Sequence, residues 1–276
     1  MKRPEAIQVT HLFPETLDAL LDLLTSLSPA DWQNPTVCAG WTVKDIAAHL
    51  LGGEMSILSR KRDGHAYSGS PFIAWDDLVS LINDLNDTWV KTMRRLSPPL
   101  LCDLLRFAGE QTNQYFAALD PDALGDPVDW AGPEPAPVWL DLAREYTERW
   151  HHQQQIRDAT GRPGLKEPRY QAPVLDAFVR ALPRAYRDVQ ADEGTMVTLE
   201  ITGAAGNRWH LLRESGAWQL YLDTDAKPAA SISLDEDLAW RRFTKGVKPE
   251  AAHAGAVITG DERLALPALG MISIIG

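Results

Sequence analysis

The spacing of the apolar residues changes from helical to alternating in the second half of this chain, and the change restricts the folds that the chain can adopt. In the first 160 residues apolar side chains recur at helical spacing, for example at Leu17, Leu20, Leu21 and Leu24. In residues 197–202 they alternate with polar side chains, which is the pattern of a strand with one buried face. Helices followed by strands predict an α+β protein of two domains.

Five stretches of the first half are predicted helices, separated by proline and glycine breaks. They are residues 13–27, a segment that begins after Thr42, and residues 72–96, 100–119 and 137–160. Thr42 with Asp45 three residues later resembles a capping box, so Thr42 is the expected N-cap of the second helix. Residues 64–71 are a predicted loop, and residues 120–137, with five prolines, are predicted to be irregular.

The second half is predicted to form a small α+β domain after a linker at residues 165–169 and a helix at residues 173–189. The predicted strands are residues 197–202, 209–213, 218–222 and 230–234, followed by a helix at 235–243, a loop at 246–249 and a helix at 262–271. Glu214, Ser215 and Gly216 between two of these strands predict a hairpin. We therefore place a helical domain at residues 1–164 and an α+β domain at residues 165–276.

Composition limits the partners and the compartment. The residues are 45% hydrophobic and 24% charged, as in an ordinary globular protein, and the net charge of −11 argues against nucleic acid or an anionic membrane surface as a partner. No apolar run approaches the roughly 20 residues of a membrane span, and the N-terminal residues lack the apolar core of a signal peptide. Two cysteines, Cys38 and Cys102, make no disulfide framework, so we expect a cytoplasmic protein.

The most informative short motif is Glu148 with His152 four residues further on. Residues four apart lie on one face of a helix, one turn from each other. With His49 from the second predicted helix they would supply two imidazoles and a carboxylate, a set that suits a divalent transition metal with a free coordination position. The alternative is that Glu148 and His152 lie on a solvated helix face.

Small residues follow His49 at the next helical turn, at Gly52 and Gly53. Glycine within a helix costs roughly 1 kcal/mol relative to alanine, so two adjacent glycines indicate that small residues are needed at this place in the helix. It would leave the surface beside the imidazole bare, as a ligand pocket requires, and close packing of another helix explains it equally well. Glu54 falls within the apolar stripe of the same helix and is a candidate to contact a metal ligand.

Two stretches of the first half resemble motifs of the mycothiol-dependent maleylpyruvate isomerase family, within the wider DinB-like group of metal-binding four-helix bundles. They are residues 38–50, CAGWTVKDIAAHL, and residues 148–152, ERWHH, with ATGRP at 159–163. The strands that contain Trp209 and Trp218, the AWRR stretch at 239–242 and Gly260 with Asp261 are similar to the sterol-carrier-like domain that follows the bundle in many members. The resemblance implies a DinB-like four-helix bundle followed by a small sterol-carrier-like α+β domain.

The resemblance also implies a site and a reaction. Carried onto this sequence, the family's metal ligands fall on His49, Glu148 and His152, and no catalytic residue is implied beyond them. The implied cofactors are a divalent metal, zinc before nickel or iron, and a low-molecular-weight thiol such as mycothiol held as thiolate. The implied activity is a thiol-dependent isomerase or S-transferase acting on a small electrophilic metabolite. Gln155 stands where many members have an aspartate, a departure that bears on the reaction rather than on the metal.

Three further residues are candidates to bind the substrate. Arg241 and Arg242 could pair with substrate carboxylates, and Asn86 could contact the substrate. For each the alternative is an ordinary surface residue, and His151 is expected to pack or to lie on the surface.

Three alternative functions and the oligomeric state stay open. A metal-dependent hydrolase of the DinB-like group would use metal-bound water in place of a thiol. A non-catalytic binding protein would hold a lipid or another apolar ligand, and a third rival would use Cys38 as a nucleophile. The sequence does not fix the oligomeric state, and a homodimer is one of the states that it allows.

Overall fold

The computed structural model describes residues 1–65, 75–224 and 226–274, and these form two compact units. The helical unit comprises Thr10–Asp120 and Glu148–Leu165. The sheet unit comprises Met1–Val9, Pro121–Thr147 and Lys166–Ile274. The predicted domain boundary after residue 164 is one residue from the point, after Leu165, at which the chain enters the sheet unit for the last time. The earlier crossings between the units, after Val9, Asp120 and Thr147, were not predicted.

The helical unit is built from five helices of the described chain. They are α1 Leu12–Thr25, α2 Val43–Ser56, α3 Trp75–Met93, α4 Pro98–Ala117 and, from Glu148 onward, α5 Val138–Thr160. A short 3-10 helix, Asp31–Gln33, precedes α2, and a π-helical segment, Ile57–Arg62, continues it. Residues 66–71 of the predicted loop and 72–74 of the predicted third helix lie outside the described residues.

The predicted start of α2 is confirmed. The N–H of Asp45 donates to Thr42 Oγ1 at 3.4 Å, and the N–H of Thr42 donates to Asp45 Oδ2 at 3.0 Å, which together make the capping box. The apolar stripes of α1, α2 and α4 then form one core with Trp32 and Ile156. Its fully buried members include Leu21, Leu24, Val43, Ile46, Ala47, Leu101, Leu105 and Ala108. Helix α2, which carries His49, is therefore held in place by packing against α1 and α4.

The sheet unit contains the remaining strands and helices of the described chain. The strands are β1 Leu124–Pro127, β2 Pro135–Pro137, β3 Met196–Thr202, β4 Asn207–Glu214, β5 Ala217–Tyr221, β6 Ala230–Asp235 and β7 Val257–Gly260. The helices are α6 Pro168–Val179, α7 Leu182–Ala185, α8 Glu236–Phe243, α9 Pro249–Gly255 and α10 Glu262–Leu269. Five strands form a sheet in the order β5-β4-β3-β6-β7, in which β3 and β6 are parallel and the other pairs are antiparallel.

The hairpin between β4 and β5 is confirmed. Ser215 and Gly216 both have positive φ, 53° and 75°, as a two-residue turn of this kind requires. The carboxylate of Glu193 accepts a hydrogen bond from each of their N–H groups at 2.8 Å. The predicted α+β class, a helical part followed by a sheet-containing part, is likewise confirmed.

Two predicted elements are wrong in detail, and two elements were missed. Residues 120–137 are not irregular throughout, because β1 and β2 pair within them. The predicted helix at 173–189 begins earlier, at Pro168, where proline suits the first turn, and it ends at Val179 before the separate α7. Helix α9 and strand β7 were not predicted, because seven and four residues are too few to show a clear period.

Among the residues that the structure describes, no helix is both long enough and apolar enough to cross a membrane.

Candidate metal centre

Helices α2 and α5 bring the three predicted ligands together within the helical unit. One potential ligand atom from each of His49, Glu148 and His152 lies within 4.8 Å of the other two. His152 Nε2 is 3.4 Å from Glu148 Oε2, close to the roughly 3.3 Å that separates two ligand atoms on a tetrahedral ion with bonds of about 2.0–2.1 Å. The rings of His49 and His152 are 4.6 Å apart and cross at 74°. This geometry fits an ion held by all three groups.

The orientation of His152 is set by Gln155, one helical turn further on. His152 Nδ1 is 2.8 Å from Gln155 Oε1, and both side chains are buried. A carboxamide oxygen only accepts hydrogen bonds, so Nδ1 of His152 donates to Gln155, and Nε2 faces Glu148, where a bound ion would replace any proton on it. A hydrogen bond on the second ring nitrogen is the usual partner of a metal-bound histidine. Gln155 thus gives His152 the hydrogen-bond acceptor that an aspartate at this position would give, without the negative charge.

His49 has a comparable arrangement. A side-chain hydrogen bond with Asn86 favours the charged form of the imidazole, so Asn86 accepts it and one ring nitrogen remains for a ligand. Burial first, and the neighbouring His152 second, lower the pKa of His49 from 6.5 to about 3, although Glu148 and Asn86 act in the opposite direction. His49 is therefore neutral at pH 7, which is the form that binds a metal.

Glu148 is held in its charged form. Burial acts to raise its pKa, but the nearby imidazoles of His151, His152 and His49 and the hydrogen bond from His152 outweigh burial. The pKa of Glu148 therefore lies well below its ordinary value of 4.5. Two imidazoles and one carboxylate are a ligand set that complements a divalent cation.

Cys38 lies beside this cluster but has the wrong chemistry for a nucleophile. Its thiol donates to Gln155 Oε1 at 3.3 Å. Burial raises the pKa of the thiol, and the charge of Glu148 acts in the same direction. A nucleophilic cysteine needs a lowered pKa, so the geometry disfavours the rival in which Cys38 attacks the substrate.

The two glycines after His49 have different surroundings. A Cβ at Gly52 would lie 2.8 Å from the indole ring of Trp89, whose Nε1–H donates to Ala48 O at 2.8 Å. Close packing, and not an open pocket, therefore explains Gly52. A Cβ at Gly53 would meet nothing within 4 Å. Glu54 pairs with Arg149 on α5, and the expectation that it also contacts a metal ligand stays a prediction.

The remaining predicted site residues lie in different places. Asn86 is in the helical unit, where it is the partner of His49, a role that the sequence pattern did not reveal. His151 is buried, with its ring 4.0 Å from that of His152. Arg241 and Arg242 are on α8 of the sheet unit, where Arg241 Nε donates to Asp237 Oδ2 at 2.7 Å and Arg242 Nε donates to Leu269 O at 2.6 Å. Arg242 is 5% exposed, so it is not the surface residue of the alternative reading.

Fold and site together define an α+β protein with a helical unit that holds a two-histidine, one-carboxylate cluster. The family model described as the mycothiol maleylpyruvate isomerase N-terminal domain matches residues 13–157, just over half of the chain. The chain belongs to this family, which confirms the resemblance that its motifs indicated.

Two solved structures have a similar fold. A crystal structure of a histidine-to-alanine mutant of the mycothiol-dependent maleylpyruvate isomerase aligns with a TM-score of 0.55 and 10% identity, over 91% of each chain. A crystal structure of the mycothiol-dependent maleylpyruvate isomerase aligns with a TM-score of 0.52 and 11% identity, over 84% of this chain and 86% of that one. At these identities the likeness concerns the fold alone. Comparison with curated proteins finds no significant match.

Proposed function

We propose that this protein is a metal-dependent enzyme that uses a low-molecular-weight thiol of the mycothiol type to isomerise a small electrophilic metabolite or to form a thioether with it. The observation that carries the proposal is the convergence of His49, Glu148 and His152 within 4.8 Å, in a chain of this family. The two solved structures with a similar fold are of a mycothiol-dependent maleylpyruvate isomerase, which agrees with this reaction class.

The protonation of two of the three side chains supports the proposal. His49 is neutral at pH 7 and Glu148 is ionised, and the hydrogen bond from His152 Nδ1 to Gln155 leaves Nε2 of His152 for an ion. His49, Glu148 and His152 would hold the ion, for which zinc is our first candidate because the set mixes nitrogen and oxygen ligands. A divalent ion bound there would supply the positive charge that keeps a thiol in its thiolate form.

Residues beyond the three predicted ligands would orient the site and set its charge. A thiolate supplies reversible addition to an activated double bond, which permits cis–trans isomerisation about that bond. Gln155 holds His152 without adding a second negative charge, so the charge of the site stays favourable to an anionic ligand. Within the sheet unit, Arg241, whose side chain is 28% exposed, is more accessible to a carboxylate ligand than Arg242, which is buried against Leu269.

A paired activity assay tests the proposal. Metal-loaded protein is incubated with a cis-unsaturated dicarboxylate, with and without mycothiol, next to His152→Ala as the control. We expect isomerisation or thiol adduct formation only with wild type, metal and thiol together. Cleavage of amides or esters without thiol would favour the metal-dependent hydrolase. Inactivity in every assay, with an apolar ligand that co-purifies, would favour the binding protein.

A further inference from the structure

A buried ion pair joins the two helices that carry the predicted ligands. Arg149 of α5 donates from Nε to Oε1 of Glu54 and from Nη2 to Oε2, both at 2.9 Å. The side chains of Arg149 and Glu54 are only 13% and 7% exposed. Because two parallel hydrogen bonds connect two planar groups, the pair defines the relative orientation of α2 and α5 as well as their separation.

Aromatic rings from two further helices hold the same guanidinium. Arg149 Cζ lies 5.3 Å from the ring centroid of Phe13 on α1 and 5.3 Å from that of Phe116 on α4. The two rings are themselves 4.8 Å apart. The guanidinium is thereby in contact with side chains of α1, α2 and α4, and its plane is fixed from several directions.

The pair is close in sequence to every predicted ligand. Glu54 is five residues after His49 on α2, and Arg149 directly follows Glu148 and precedes His152 by three residues on α5. A metal site tolerates errors of only about 0.2 Å in its ligand distances. A slide or rotation of α2 against α5 changes the distance from His49 to Glu148 and His152, so whatever fixes these helices also fixes the site.

Stability alone is a poor explanation of such a pair. Removing two charges from water costs free energy that their attraction often fails to recover, and apolar replacements of buried ion pairs are frequently neutral or stabilising. An orienting role accounts for the two-bond geometry, which a hydrophobic contact would not reproduce.

We propose that Glu54 and Arg149 are positioning residues of the metal centre, and that their ion pair sets the register in which His49 meets Glu148 and His152. The inference rests on the metal site of the proposed function. Neither residue touches the ligand atoms directly in this scheme, and both act through the helices that carry the ligands.

The test compares Arg149→Lys with Arg94→Lys. Arg94 makes a two-bond pair with Asp45, also on α2, at 2.9 and 3.0 Å, but its side chain is 49% exposed and it does not connect α2 to α5. The measurements are the zinc dissociation constant by chelator competition, the visible spectrum of the cobalt-substituted protein and the melting temperature of the metal-free protein. We expect Arg149→Lys to weaken zinc binding by about tenfold and to shift the cobalt bands, as changes around metal ligands do. Arg94→Lys should leave both unchanged.

A double variant keeps the test decisive if Arg149→Lys does not fold. Glu54→Gln with Arg149→Met removes both buried charges and leaves neither unpaired, so it should fold while still losing the orienting bonds. Zinc affinity and cobalt spectra equal to wild type in the folded variants would overturn this inference alone, even if the melting temperature falls. A wild-type protein that binds no zinc would overturn the proposed function, and this inference with it.

Discussion

At the scale of single residues, the least expected feature of the site is that a neutral side chain orients a charged cluster. Gln155 Oε1 accepts from His152 Nδ1 and from the thiol of Cys38, so one oxygen serves two neighbours. An aspartate in this place would make the same bond to His152 and would add a negative charge beside Glu148. Glutamine at this position therefore orients His152 without the charge that an aspartate would add.

This assignment predicts opposite results for two variants of Gln155. Gln155→Leu removes the acceptor, leaves the Nδ1–H of His152 without its partner and should weaken zinc binding by about 10- to 100-fold. Gln155→Asp keeps an acceptor and should bind zinc at least as tightly as wild type. Calorimetric titration of the metal-free proteins measures both constants. An unchanged constant in Gln155→Leu would show that Gln155 does not orient the ligand.

The lowered pKa of His49 predicts a dependence of stability on pH. Above pH 6.5 this imidazole is neutral in both states and contributes nothing. As the pH falls from 6.5 toward about 3, the unfolded chain binds a proton that the folded chain excludes, so the free energy of unfolding decreases. Urea unfolding of the metal-free protein at pH 7.5 and pH 5 should therefore show a smaller loss for His49→Gln than for wild type.

The interval from pH 7.5 to pH 5 keeps Glu148 out of this comparison. Its ordinary pKa is 4.5 and its folded pKa is lower, so it stays largely ionised in both states over the interval. Equal losses of stability in wild type and His49→Gln would contradict the burial of a neutral His49.

At the scale of elements, substitution of the two adjacent glycines of α2 by alanine is predicted to change the free energy of unfolding in opposite directions. Gly53→Ala places a methyl group in open space and should raise the free energy of unfolding by about 1 kcal/mol through helix propensity. Gly52→Ala places it 2.8 Å from the Trp89 ring, which its hydrogen bond to Ala48 O holds in place, and should lower the free energy by about 1–3 kcal/mol. Urea denaturation of the two variants tests the contrast, and equal effects would contradict the packing explanation.

Elements with a local signal were predictable from the sequence, and those fixed by a distant partner were not. The capping box of Thr42 and Asp45 and the Ser215-Gly216 turn are specified by a few consecutive residues, and both are present. Strands β1 and β2 depend on pairing with each other across a proline-rich segment, so their own residues carry no strand pattern. The bond between Asn86 and His49 likewise joins helices far apart in sequence and has no local signature.

At the scale of the whole molecule, the ligand cluster was predictable because helical spacing fixes part of its geometry. Glu148 and His152 are one turn apart on α5, so their proximity follows from the sequence. His49 was a third candidate by residue type, and only the family resemblance assigned it to the same site, because helix packing over 99 residues of separation is not encoded locally. The Glu54–Arg149 pair was missed for the same reason. The sterol-carrier-like character of the second half and the roles of Arg241 and Arg242 stay predictions.

The central claim is that His49, Glu148 and His152 hold an ion to which a thiol binds. Titration of the cobalt-substituted protein with mycothiol, followed in the near ultraviolet, tests it most directly, with metal-free protein and His152→Ala as controls. We predict a new sulfur-to-cobalt absorption band that saturates with the thiol in wild type and is absent from both controls. A cobalt spectrum that the thiol leaves unchanged, or equal thiol binding with and without metal, would contradict the claim.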